Sequence, residues 1–221
     1  MKKSTAIGTL CMLVMGIPAP AQHLAAVTEG TAADIASLQP VLKYSLPWST
    51  IKMEDIKWIK RVWREINVND EGNRILITNS GKPTGLFETL AAGAINGTYA
   101  MYDAGDDGFT TEIPVAERKN VIDAGKKSSI HKYKIKEDWL CLKNDGHIEV
   151  RILGVAPVVV QKNTNGEIEE ETLCWFYYPD ARPQLASGLL PNTGKNQPSN
   201  WDEIFQYRRF IAPIKKVTHR E

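Results

Sequence analysis

The 221-residue chain holds four histidines, and two of them, His23 and His219, lie near its ends. His131 and His147 are therefore the candidates for proton transfer or metal binding. Ser128 and Ser129 stand beside His131 and could be read as a nucleophile with its base, but adjacency in sequence does not supply the geometry that acyl transfer needs. Neither histidine has a second ligand at zinc spacing. The chain also lacks a Gly-x-Ser-x-Gly elbow, a phosphate-binding glycine loop and a His-Glu-x-x-His helix. Asp103, Asp106, Asp107 and Gly108 begin like a calcium loop, yet position three would be Gly105 and position twelve Pro114, where a bidentate glutamate is required. A weakly metal-binding acidic turn and a solvated turn remain as readings. No catalytic, cofactor or metal residue is assigned, and no cofactor is expected.

Cys141 and Cys174 could form a disulfide in an oxidising compartment. The turns argue otherwise. With Asp145-Gly146 and Asn165-Gly166 as two-residue turns, Cys141 faces Val150 and Cys174 faces Pro157. Those partners lie seven residues apart on one strand, roughly 23 Å at about 3.3 Å per residue. Two free, buried thiols are expected.

The elements that carry these residues read as α+β: an antiparallel β-meander packed with amphipathic helices in a single main domain. Ile56, Ile59, Val62, Trp63 and Ile66 recur at three and four residues against Glu54, Lys57, Lys60, Arg61, Arg64 and Glu65, which predicts an amphipathic helix from about Met53, capped by Ser49 or Thr50. Trp58 sits at the edge of its stripe, either as core or as a protein contact. Arg74 to Thr78 reads as a short strand and Ser80 to Pro83 as a turn. A second helix follows, with Leu86, Phe87, Leu90 and Ala94 inward and Gly97 ending it. Phe109 to Ile113 reads as a strand, and Pro114 to Val121 as a short helical turn. Tyr133–Leu142 and Ile148–Val160 read as paired strands, with Lys126, Lys127, Lys132, Lys134 and Lys136 as a solvated edge or an anionic-surface contact. Leu173 to Tyr178 reads as an aromatic strand that ends at Pro179. Its two faces carry Leu173, Trp175, Tyr177 and Cys174, Phe176, Tyr178, so both need cover, from helices of the chain or from a partner. Gln184 to Ala186 forms a turn of helix, and Asn200 with Glu203 caps a last helix.

Lys2 and Lys3, the apolar run from Ala6 to Ile17, and Ala19-Pro20-Ala21 have the layout of an export signal cleaved near Ala21. Cys11 follows Leu10, which disfavours lipidation. The expected organisation is a signal peptide at 1–21, a flexible lead-in at 22–50, the main domain at 51–214 and a tail at 215–221. No later run has 18 apolar residues, so no membrane span is expected. Two of the 27 basic residues leave with the signal while all 26 acidic ones stay, a net of about −1 that invites no nucleic acid.

Several stretches together resemble the GldN/PorN family of gliding-motility and type IX secretion components of Bacteroidota. They are Trp58 to Ile66, Leu86-Phe87, Asp106 to Thr110, Tyr133 to Trp139, Val150 to Pro157, Trp175 to Pro183 and Trp201 to Arg208, in matching order and spacing over roughly 54–212. Asn67 to Ser80 departs from the family's Leu-Tyr-Tyr-Pro-like segment. The resemblance implies a non-enzymatic periplasmic subunit at the inner face of the outer membrane. That subunit assembles with a GldK/PorK-like outer-membrane lipoprotein into a ring, self-associates within it, and meets a GldM/PorM-like motor component. Surface chemistry, rather than any family residue, nominates Trp58, Trp63, Arg64, Trp175, Tyr177, Tyr178 and Arg182 as protein-interaction residues. The alternatives are a stand-alone periplasmic binding module and a hydrolase using His131 or His147.

Overall fold

A computed structural model describes residues 48–76, 85–128, 130–162, 165–188, 190 and 198–220. The proposed signal, most of the lead-in, the Ser80 to Pro83 turn and Cys11 lie outside them.

The architecture is α+β: one seven-stranded antiparallel sheet with helices. In chain order its strands are β1 (Ile56–Asn67), β2 (Met101–Tyr102), β3 (Ile130–Leu142), β4 (Ile148–Lys162), β5 (Ile168–Thr172), β6 (Trp175–Tyr177) and β7 (Ile214–Arg220). They lie in the order β2-β6-β4-β3-β1-β7, with β5 also paired to β4. The helices are α1 (Leu86–Ile95), α2 (Val115–Lys127), α3 (Tyr178–Ser187) and α4 (Trp201–Gln206).

The predicted first helix is instead strand β1, preceded by a single 3-10 turn at Met53–Asp55. Its burial recurs at Ile59, Val62 and Ile66, which imitates a helical stripe. Taken alternately, each face of the strand mixes apolar and charged residues, so period two is invisible in the sequence. The charges are settled by the neighbouring strand: Arg61 is in register with Asp138 and Glu65 with Lys134. Ile56, Trp58, Ile59, Val62, Trp63 and Ile66 are strong strand formers, and long-range pairing with β3 decides the conformation.

Other expectations move as well. Glu71–Leu76 is a 3-10 helix, so the strand placed from Arg74 is absent there. Asn73 is fully buried because its side chain behaves as a strand partner: Nδ2 donates to the carbonyls of Asn67 and Ile211, and Oδ1 accepts from the Ile211 amide. The strand placed at Phe109–Ile113 reduces to one bridge between Tyr102 and Glu112. α2 and α3 are both longer than expected, and α3 begins with Pro179 in its first turn. The residues read as a tail form β7, hydrogen-bonded to β1.

The core lies on one face of the sheet. Leu86, Phe87 and Leu90 of α1, Ile122 of α2, Ala181 and Leu185 of α3, and Trp201, Ile204 and Phe205 of α4 close over Ile66, Tyr133, Ile135, Val155 and Phe176. Arg118, only 2% exposed, ties α2 to α1. Its guanidinium donates to the carbonyls of Ile113, Ala94 and Tyr99 and pairs with Glu112. The Ala94 carbonyl belongs to the last turn of α1, where cations are favoured. At the start of α4 the Asn200 side chain accepts from the Glu203 amide, while Glu203 reaches back to Ser199, a capping box displaced by one residue.

Candidate functional site

The second face of the sheet is built on alternation in β3. Tyr133, Ile135 and Glu137 point to the helices, so Lys132, Lys134 and Lys136 point the other way. The lysines therefore occupy a central strand, and the solvated-edge reading is corrected. Their aliphatic stems cover the sheet while their ammonium groups reach anchors. Lys132 pairs with Glu65 at 3.2 Å and with Glu170 at 2.7 Å, Lys134 donates to Thr172 Oγ1 at 2.9 Å, and Lys136 pairs with Asp107. Burial alone would lower the Lys132 pKa, but the hydrogen bonds it donates to Glu170 and Glu65, with the charges of those carboxylates, outweigh it and raise the pKa; burial lowers that of Lys136. Beside them Arg61 binds Asp138 through two bonds of 2.8 and 2.9 Å, which raises the pKa of the guanidinium.

Across this face runs the loop 103–111. Asp106 organises it: Oδ1 accepts from the Gly108 amide, and Oδ2 accepts from the Thr110 amide and hydroxyl and the Thr111 amide. Those bonds, led by the Thr111 amide, hold the Asp106 carboxyl well below the usual carboxylate range. The loop that resembled a calcium site thus spends its carboxylate on its own backbone. Among the described residues no group of three metal-ligating side chains converges.

The turn forces Phe109 to φ +60°, a left-handed conformation that aromatic residues rarely take. Its ring is thereby set on the sheet, with ring centres 5.1 Å from Tyr177, 5.6 Å from Tyr102 and 6.1 Å from Trp175, and with Lys136 Nζ at 5.3 Å. Gly154 provides the seat, since a Cβ there would meet Phe109 Cζ at 2.5 Å. Next to Phe109, Asp107 accepts from Trp63 Nε1 at 2.6 Å and from Lys136. Burial opposes ionisation of Asp107, but those bonds and the charges of Lys136 and Lys216 outweigh it and lower its pKa. Lys216 of β7 lies 4.6 Å from the centre of the Trp63 ring. Between loop and strands opens a groove of about 310 Å³ lined in part by Trp63, Arg64, Lys134, Trp175 and Lys216.

The nominated residues fall in three places. Trp63 and Tyr177 stand half-buried at or beside this groove; Trp175 lines it but is only 4% exposed beneath Phe109, and Arg64 borders it while its Nε donates to the Ala212 carbonyl at 2.7 Å on the helical side. Trp58 is half-buried farther along β1, stacked under Lys60 at 4.9 Å. Tyr178 and Arg182 are corrected: they are buried on the helical side, 0% and 5% exposed. Arg182 makes two bonds, of 3.0 and 3.1 Å, to Asp202, and Tyr178 donates to the same carboxylate at 2.7 Å. Their polarity serves the core, where a charged pair must be satisfied internally. The aromatic strand does have cover on both sides, but its second cover is the Phe109 loop rather than helices or a partner. In the sequence Asp107 reads as part of a calcium-like turn, Phe109 as the start of a strand and Gly154 as a strand residue, and none of them is nominated as a contact; the signal for the first two is Asp-Asp-Gly-Phe, a turn that ends on an aromatic residue.

His131 lies near the start of β3 and His147 in the turn beyond its other end, where its carbonyl accepts from the Leu142 amide, about 35 Å away at about 3.3 Å per residue. His131 lies 3.7 Å from Glu170 and 3.5 Å from Asn69, a surface arrangement. Cys141 and Cys174 are free and buried. Cys141 is in register with Ile148, two residues from the expected Val150. Burial pushes the Cys174 thiol up beyond any physiological titration, so it is unreactive. Among the described residues no helix is long and apolar enough to cross a membrane.

The arrangement offers aromatic rings, cations and a shallow groove, which suit contact rather than bond-making. Comparison with protein families matches residues 51–221 to one described as gliding motility associated protein GldN. No curated protein matches the chain.

Proposed function

The chain belongs to the GldN family, a gliding-motility component, and from that membership we propose that it is a non-enzymatic periplasmic subunit of the type IX secretion and gliding machinery. In this reading it assembles with an outer-membrane lipoprotein into a ring on the inner face of the outer membrane and contacts the periplasmic part of the motor. The observation that carries the reading is the extent of the family match, which takes in every described element from β1 to β7. The aromatic and cationic face around Trp63 and Tyr177, with Lys134 and Lys216 beside them, supports it, because tryptophan and tyrosine are among the residues that dominate protein contacts. In this reading that groove is a protein-contact surface.

The test is gradient sedimentation of gently solubilised envelopes from the source cell, with blotting for this chain and identification of what travels with it. Migration in a very large particle together with an outer-membrane lipoprotein is the expected result. Migration as a free monomer would overturn the subunit reading in favour of a stand-alone binding module.

A further inference from the structure

Among the described residues two edge strands of the sheet, β5 and β7, are opposite in charge. β5 runs Ile168-Glu169-Glu170-Glu171-Thr172, directly after Glu167, and contains no basic residue. The β4 residues in register with its glutamates are Val159, Val160 and Gln161, none of them cationic. Glu170 is met from β3 by Lys132 and His131. β7 runs Ile214-Lys215-Lys216-Val217-Thr218-His219-Arg220 and contains no acidic residue. On β1 beside it, His219 is in register with Lys60, Thr218 with Arg61 and Ile214 with Arg64; Arg61 is held by Asp138 and Lys215 lies 3.7 Å from Glu65, which leaves Lys60, Lys216 and Arg220 as the excess of positive charge at this edge. Like charges held on neighbouring strands destabilise a sheet unless something anionic lies alongside. Each edge also exposes apolar surface, with Ile168 71% and Val217 48% exposed. Among the described residues, no strand pairs with the outer side of β5 or of β7.

We propose that β7 of one copy of this chain pairs with β5 of the next, continuing the sheet from molecule to molecule. The charges choose this pairing over its competitors, since β7 against β7 is basic on basic and β5 against β5 is acidic on acidic. An antiparallel register that sets Val217 opposite Ile168 also sets Lys216 opposite Glu169 and Lys215 opposite Glu170. Strand addition of this kind draws its affinity from main-chain hydrogen bonds and its selectivity from side chains. The contact is heterologous, because two different edges meet, and repeats of such a contact either close into a ring or run on as a filament. The inference rests on the ring-subunit reading and supplies that reading with its self-association surface.

Two full-length variants test it: Lys215→Glu with Lys216→Glu, acidic at both edges, and Glu169→Lys with Glu170→Lys, basic at both edges in the two β5 positions that the register sets against those lysines. Each is produced alone, and both are produced together, in cells lacking the native chain. Particle size is read by sedimentation, and folding of each purified variant by circular dichroism. Each variant alone should lose the large particle at least tenfold, while the two together should regain it, because acidic β7 then meets basic β5 and the remaining edges still match. If each folded variant assembles alone as the native chain does, edge pairing is overturned and the ring reading stands. Failure of the mixture to regain the particle also overturns it. A native chain that never self-associates overturns the ring reading, and the edge pairing with it.

Discussion

Arg182 and Asp106 both look like surface chemistry in the sequence, and both are internal fasteners. The Arg182–Asp202 pair is buried, with the Tyr178 hydroxyl as a further donor. Removing one partner leaves the other charge unsatisfied, so Arg182→Ala should cost about 3–5 kcal/mol in urea unfolding. Replacing both members, Arg182→Met with Asp202→Leu, should cost clearly less, since no orphaned charge remains. Equal losses would mean that packing, rather than charge, sets the cost. Asp106 is a pH-dependent fastener. Its folded pKa is depressed, so its contribution is present above the unfolded carboxylate value of about 3.9 and fades as pH falls below that through the folded value. Asp106→Asn should therefore be less stable than the native chain at pH 7, and the gap should narrow steadily below about pH 4. A gap that stays constant with pH would assign the loss to shape and not to charge.

At the scale of elements, the loop 103–111 and Gly154 form one joint. The Gly154→Ala methyl would strike the Phe109 ring at 2.5 Å and press Trp175 at 3.1 Å. Overpacking of this kind costs about 1–3 kcal/mol, and hydrogen exchange in the loop should speed up. In Phe109→Ala the clash is gone, so Gly154→Ala should add little there, and a double-mutant cycle reads that coupling directly. Additive losses would show that Gly154 does not seat the ring. The sequence made some elements legible and hid others for physical reasons. α1, β3, β4 and the Asn200 cap announced themselves because each has a single clean periodicity or a local motif. β1 did not, because its polar residues find partners in β3, some 70 residues away, and no local pattern records that. β7 was hidden because a short basic strand at a chain end resembles a solvated tail until β1 is known to be a strand. Tyr178 and Arg182 were misplaced for the same reason: their partner Asp202 belongs to another helix.

For the whole molecule, the two faces of one sheet are covered in different ways. Four helices among the described residues close one face, and the other is closed only by a loop and by lysine stems. A subunit that must meet both its own copies and other proteins needs surfaces of two kinds, and in the proposed reading the charged edges serve repetition and the aromatic groove a different partner, with Lys216 bordering both. Trp63 is the place to test that division. It is half-buried, bonded to Asp107 and stacked by Lys216, yet no buried helix packing depends on it. Trp63→Ala should lower stability by about 1–3 kcal/mol, leaving the chain folded. The hydrogen bond that helps depress the Asp107 pKa goes with it, so part of the Asp107 contribution, present at neutral pH and lost on acidification, should vanish as well. Because the variant keeps both charged edges, it should still form large particles, but the second protein that sediments with native particles should be depleted. The edge variants should show the reverse order, losing the particle first. If Trp63→Ala abolishes the particle itself, the groove and the edges are one surface, and self-association runs through the aromatic face.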